Sequence, residues 1–223
     1  MKNQLTAIVL CLCAMTGVQA QTSGSAGGVK AEQNEAAAWQ DLDPRMNVSF
    51  KGASPSIADF VSTIIYNNND SEPIGVLKDT WRSWMRGGRI PGMEKLVVDK
   101  ANGFVSWMHR YPRSKVLVEY CFWNCSDKKH KLVAENIVTW VNGVIVAGQY
   151  SGVSFYMYDS SSKTLSYACS NDLGIDSDEV YGQYVTMCSL PQKGKKMTFT
   201  NFMPNGEVKK KFTWNGEKFV LDD

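Results

Sequence analysis

Met197-Thr198-Phe199-Thr200-Asn201-Phe202-Met203-Pro204-Asn205-Gly206-Glu207-Val208-Lys209-Lys210-Lys211-Phe212-Thr213-Trp214-Asn215-Gly216-Glu217-Lys218-Phe219-Val220-Leu221 is the stretch that decides the fold class. Met197, Phe199, Phe212, Trp214, Phe219 and Leu221 alternate with Thr198, Thr200, Lys211 and Thr213. Neighbouring side chains of a strand point to opposite faces, so this alternation describes hairpins packed on one side and wet on the other. Asn205-Gly206 and Asn215-Gly216 punctuate them, and Asn102-Gly103 and Asn142-Gly143 recur upstream. Asn-Gly supplies the two positive-φ positions of a type I′ turn, whose twist matches the flanking strands.

From Leu96 to Leu221 the period stays close to two, in about eleven short strand-like runs with no fixed-length repeat. Before them the period is helical. Ser54 and Pro55 suit an N-cap and a first helical position, and Ile57, Phe60, Val61, Ile64 and Ile65 then form one apolar stripe. A second helix runs from Ser71 and Pro73 to a stop at Gly87-Gly88, with Ile74, Leu77, Trp81, Trp84 and Met85 on one side. The expected fold is therefore α+β and mainly β. Two N-terminal helices (about 54–87) precede a large antiparallel β-meander (about 95–222), either a curled sheet or barrel-like.

The first twenty residues read as an export signal. Lys2 is followed by an apolar run from Leu5 to Met15, and Val18-Gln19-Ala20 is a small-x-small cleavage pattern that would leave Gln21 as the new N-terminus. That run is too short to span a bilayer, and no other run approaches the roughly 20 residues a spanning helix needs. Residues 21–45 are rich in Ser, Gly, Ala and Gln and read as a flexible leader, leaving one globular domain over residues 46–223. The net charge of +2 falls to +1 once Lys2 is removed, so the chain lacks the basic excess of a nucleic-acid-binding protein. The lysine runs at 128–131, 193–196 and 209–211 sit in turns or on a polar strand face and read as solvated.

Cys121, Cys125, Cys169 and Cys188 survive signal cleavage. An exported chain with four cysteines permits three full pairings or buried free thiols. Cys121 and Cys125 on one strand lie too far apart to bond to each other. Cys169 and Cys188, near the inner ends of strands flanking one loop, are the expected partners if a bridge forms.

Motifs for chemistry are few. Cys121, Cys125 and His130 are valid zinc ligands, but the other histidine, His109, lies on a different expected strand, so no metal site is expected. Asp172, Asp176, Asp178 and Glu179 concentrate oxygen ligands in one loop, yet their spacing departs from the EF-hand pattern, and a solvated acidic loop is the expectation. No nucleophile elbow, P-loop or dinucleotide fingerprint occurs, so no cofactor is expected. Glu119 and Glu135 are the best candidates for a paired-carboxylate hydrolase, since each interrupts an apolar strand. Period two favours water-facing positions for both. Trp107, Tyr120, Trp123, Trp140, Tyr156 and Tyr158 lie on expected strands and would either form an exposed platform or fill a closed barrel.

Val98-Asp99-Lys100-Ala101-Asn102-Gly103-Phe104, Asp172-Leu173-Gly174-Ile175-Asp176, Leu190-Pro191-Gln192-Lys193-Gly194-Lys195 and Thr213-Trp214-Asn215-Gly216-Glu217-Lys218-Phe219 resemble segments of small exported proteins of Bacteroidales-type gut and oral bacteria. The similarity covers roughly residues 50–223. It implies a Gram-negative periplasmic or secreted location and carries over no active-site residue. The functional expectations are a non-catalytic binding or envelope-assembly module for a glycan or another protein, a carboxylate-dependent hydrolase of envelope or dietary polymers, or an inhibitor or immunity-type protein acting through the loop Ser170–Gly182.

Overall fold

The computed structural model describes residues 45–67, 74–88, 93–146, 151–176, 180 and 185–222. The expected signal peptide and all but the last residue of the leader lie outside them.

A short strand, β1 (Met46–Asn47), comes first, followed by α1 (Ile57–Asn67) and α2 (Ile74–Met85). The helices are therefore mid-chain, not N-terminal, because residues 46–47 pair with a strand near the end of the large sheet. α1 starts two residues later than expected. Ser56 is the cap: its carbonyl accepts Phe60 N, while its own N–H and hydroxyl both donate to Asp59 Oδ2 at 2.7 Å. This is a capping-box arrangement with Asp in the third helical position, and it satisfies donors that the helix leaves unpaired. α2 ends where Gly87, at φ +75°, donates to the Trp84 carbonyl and Gly88 to that of Ser83. That is a Schellman closure, which needs a left-handed residue at the position of Gly87. Trp81 is buried and donates from Nε1 to Ser62 Oγ at 2.8 Å, joining the helices, whereas Met85 is 55% exposed and leaves the expected stripe.

The strands then follow in sequence: β2 (Met93–Asp99), β3 (Phe104–Arg110), β4 (Ser114–Asn124), β5 (His130–Val141), β6 (Val144–Ile145), β7 (Gly152–Asp159) and β8 (Thr164–Ala168). They form a large antiparallel sheet in the order β1-β8-β7-β5-β4-β3-β2, with β6 also pairing to β5. The remaining strands, β9 (Val185–Ser189), β10 (Lys196–Met203), β11 (Gly206–Trp214) and β12 (Phe219–Leu221), make a separate sheet in the order β12-β11-β10-β9. No barrel closes. β1 and β2 remain edges of the large sheet, and after β8 the chain leaves it to begin a second one instead of returning to β2.

The result is three layers: helices, large sheet, small sheet. Val105, Val118, Val133 and Tyr158 pack with Phe60 and Ile64 of α1 on one face of the large sheet. Phe104, Trp123, Leu132 and Phe155 pack with Phe199 and Trp214 of the small sheet on the other. The large sheet is thus buried on both sides, while the small sheet is wet on its outer face, where Lys211 is exposed. Leu221, expected inside, is 44% exposed at the end of the short β12. The Asn-Gly turns also differ from one another. Only Asn142 and Gly143 both take positive φ, at 52° and 83°, as type I′ requires. At Gly103 the positive φ of 65° serves a longer loop, in which Asp99 accepts from Asn102 N and Nδ2.

Candidate functional site

Glu119 and Glu135 do not face water and do not face each other. The register opposes Tyr120 to Glu135 and Glu119 to Asn136 across β4 and β5. Period two therefore sends the two carboxylates to opposite faces of a sheet whose faces are both covered. Glu135 is 6% exposed on the helix side, where its carboxylate accepts Tyr120 Oη at 2.5 Å and Tyr156 Oη at 3.2 Å. Burial pushes its carboxyl up, against the opposing pull of the two hydroxyls. Glu119 faces the small sheet and accepts Asn136 Nδ2 at 2.9 Å and Leu190 N at 3.1 Å. Its carboxyl is also raised by burial, again opposed by these two donors. Each acid is a structural node, and a glycosidase needs its two carboxyls to converge on one substrate from either side of the scissile bond, which two acids on opposite faces of a covered sheet do not do.

The cysteines are placed differently from expectation. All four are free thiols. Cys169 is exposed, whereas Cys188 is buried on the face of β9 that covers the large sheet, and no disulfide joins the expected pair in the structure. Cys125 is half-buried, with its Sγ 3.9 Å from Met157 Sδ. His130 pairs through Nδ1 with Asp127, whose carboxyl that contact holds down to about 2. The described residues contain no cluster of three or more His, Cys, Asp or Glu arranged to hold a metal. Asp172 and Asp176 are exposed in the loop between the sheets; Asp178 and Glu179 lie outside the described residues. Leu173 and Ile175 of that loop are buried, and Phe219 N donates to Leu173 O at 2.7 Å, so its stem is part of the core.

Of the six strand aromatics, Trp107, Tyr120, Trp123, Tyr156 and Tyr158 are buried. Trp140 alone of the six is half-exposed, and it lines a cleft of about 300 Å³ at one end of the large sheet. The cleft is built by two adjacent turns. Tyr111 N donates to Ser114 O at 2.7 Å, closing the β3–β4 turn, and Asn142 N donates to Arg113 O at 2.7 Å, tying the β5–β6 turn to it. Arg110, Arg113 and Lys115 line the cleft, and no acid does. Arg110 is held by Glu94 on β2, which lies outside the cleft lining. Lys115, opposite Trp140 in register, sets its Nζ 4.4 Å from the centroid of the Trp140 ring. Arg113 is exposed and has no ion-pair partner among the described residues. The site therefore offers an uncommitted guanidinium, an ammonium and an aromatic edge in one open concavity, a combination that suits an anion carrying an apolar face.

A second cleft, of about 450 Å³, lies at the far end of β4, where Ser126 N donates to Gly216 O at 2.9 Å. Lys128 and Lys195 line it without any aromatic partner.

Comparison with protein-family models, with curated protein sequences and with solved structures finds no match for this chain. No helix among the described residues is long and apolar enough to cross a membrane. The functional reading thus rests on the geometry. The basic residues of the cleft form no run in the sequence that would mark a site: Arg110, Arg113 and Lys115 are scattered through a turn. Hairpin register was the available signal, since it sets Lys115 opposite Trp140.

Proposed function

We propose that this is an exported, non-catalytic binding module that takes an acidic saccharide in the Arg113–Lys115–Trp140 cleft. The observation that carries this reading is the cleft's lining, which among the described residues brings three cations together with Tyr111 and Trp140, holds no acid and leaves Arg113 in no ion pair. A sugar carboxylate accepts from the Arg113 fork, and the C–H face of the ring lies against Trp140. The carboxylates best suited to a hydrolase are committed elsewhere, on opposite faces of the large sheet. The export signal read in residues 1–20 supports a periplasmic or extracellular setting, where acidic polysaccharides are accessible ligands.

Isothermal titration with a uronic-acid oligosaccharide tests this, with the neutral sugar of the same linkage and an acidic peptide as comparators. Binding to the uronate alone is expected, weakening as salt rises because the contacts are exposed. Arg113→Ala and Trp140→Ala are each expected to weaken it about tenfold, as loss of one charged or stacking contact does. Equal affinity for the neutral sugar, or unchanged affinity in both variants, would reject the reading. Binding of the acidic peptide alone would reassign the cleft to a protein partner.

A further inference from the structure

We infer that β2 is a dimerisation edge: two copies of this chain pair antiparallel through it about a two-fold axis at Val97, joining their large sheets into one. Among the described residues no strand pairs the outer side of β2. It is the longest open edge, seven residues against two for β1, five for β9 and three for β12. An open edge presents unpaired N–H and C=O groups, and a long one with an apolar centre is a template for another strand. Leu96, Val97 and Val98 form that centre, and none is fully buried although the large sheet is covered on both faces.

The sequence of the edge points to a second copy as its occupant. Glu94-Lys95-Leu96-Val97-Val98-Asp99-Lys100, read antiparallel against itself about Val97, sets Leu96 opposite the partner's Val98, Lys95 opposite the partner's Asp99 and Glu94 opposite the partner's Lys100. Every charge meets its opposite, and the two-fold axis makes each pair twice. Directly opposed side chains share a sheet face and lie within reach of each other. Edge charges ordinarily keep strands apart, whereas here they select one register. Sliding the partner by two residues sets Lys100 opposite Leu96 and Asp99 opposite Val97, and the match is lost. Lys95 and Lys100 are exposed and make no ion pair among the described residues, so association gives each its acid. Asp99 is held in place by donors from Asn102 N, Asn102 Nδ2 and Gln192 Nε2, and it too is in no ion pair. β2 is bulged at Glu94, since Met93 pairs with His109 and Lys95 with Met108. Glu94 also holds Arg110, so the two Lys95–Asp99 pairs on the regular stretch carry the selection. A single pair of strands buries less than a stable interface needs, which makes the dimer concentration-dependent. The inference is independent of what the cleft binds.

The protein is expressed with its own N-terminal sequence, purified as the cell leaves it and followed by sedimentation velocity across a concentration series. A dimer that grows with concentration and weakens with salt is expected. Lys95→Glu opposes two pairs of carboxylates across the axis and is expected to weaken the dimer about tenfold; Asp99→Lys opposes two pairs of ammonium groups with the same effect. An equimolar mixture of the two variants is expected to restore the dimer, because each acid then faces a lysine, and mixing does not cure a folding defect. In a Cys169→Ser background, Val97→Cys is expected to give a disulfide-linked dimer under mild oxidation. Lys95→Cys, more exposed but far from its own copy across the axis, is expected not to. A monomer at every concentration, a dimer unchanged by Lys95→Glu, a mixture of the two folded variants that stays monomeric, or equal linkage through positions 95 and 97 would overturn the inference.

Discussion

Glu135 shows how one residue reads differently once its neighbours are known. In sequence it is a charge interrupting an apolar strand; in the fold it is a carboxyl held between two tyrosine hydroxyls. An isolated buried charge is expensive, and the protein limits that cost by hydrogen bonds and by favouring the protonated form. Because its folded-state pKa is raised, the stabilisation is fully present below the unfolded pKa and is lost as pH rises through the folded value. Urea titrations across pH 4–8 are expected to show wild-type stability falling with pH by up to about 1.4 kcal/mol per unit wherever this proton is released. Glu119 is raised in the same direction, so the Glu135→Gln variant keeps part of that slope and the double Gln variant loses it. A slope unchanged in the double variant would mean that other groups carry it. Glu135→Ala, which takes this acceptor from two buried tyrosine hydroxyls, is expected to cost about 3 kcal/mol.

The elements depend on their ends as much as on their apolar faces. α1 carries its cap at Ser56, and removing the hydroxyl's hydrogen bond to Asp59 by Ser56→Ala is expected to cost about 1 kcal/mol by chemical denaturation. In the β2–β3 loop, Gly103 combines φ +65° with a close approach: a Cβ there would sit 2.6 Å from the Phe122 ring. Gly103→Ala therefore meets both backbone strain and a clash, and is expected to cost about 2–3 kcal/mol. Equal losses for Gly103→Ala and for Gly143→Ala, where nothing lies within 4 Å of the added carbon, would show that the Phe122 contact contributes nothing. The strand segments were legible at this scale, because alternation and turn residues both act within a few neighbours. The apolar run Val116–Trp123, broken only by Glu119, also carried the sign of a strand buried on both faces.

At the scale of the whole molecule, stability depends on two apolar layers, not one. Phe199 and Trp214 of the small sheet are fully buried between the sheets, with the Phe199 ring edge-on to Phe212 at 5.7 Å and Trp214 donating to the Asn124 carbonyl at 3.1 Å. Phe199→Ala opens a cavity in that layer and is expected to cost about 3–5 kcal/mol in urea unfolding. A single cooperative transition for this variant, with tryptophan fluorescence and far-UV circular dichroism coincident, would show that both layers unfold together. Early loss of one signal would show that the small sheet separates first. The cleft also belongs to this scale, since its lining comes from turns thirty residues apart in the chain that the β4–β5 register brings side by side.

Sequence alone determined the number and kind of most elements, because helical and strand periodicity, caps and Asn-Gly turns are local physical signals. It identified the hairpin order of β2 to β5 and of β9 to β12, since short connections force neighbouring strands to pair. Only the tertiary structure decided where the chain changes sheets, and with it everything about the site. The segment after β8 carries no periodicity that distinguishes one more hairpin from a crossing, so a single meander and two stacked sheets look alike in sequence. Once the small sheet covers the large one, Glu119 and Glu135 turn inward on opposite faces, Cys188 faces the layer of Cys121 instead of Cys169, and Trp140 is left at the surface. Burial is a property of what lies across the gap, and the residues across the gap are distant in the chain.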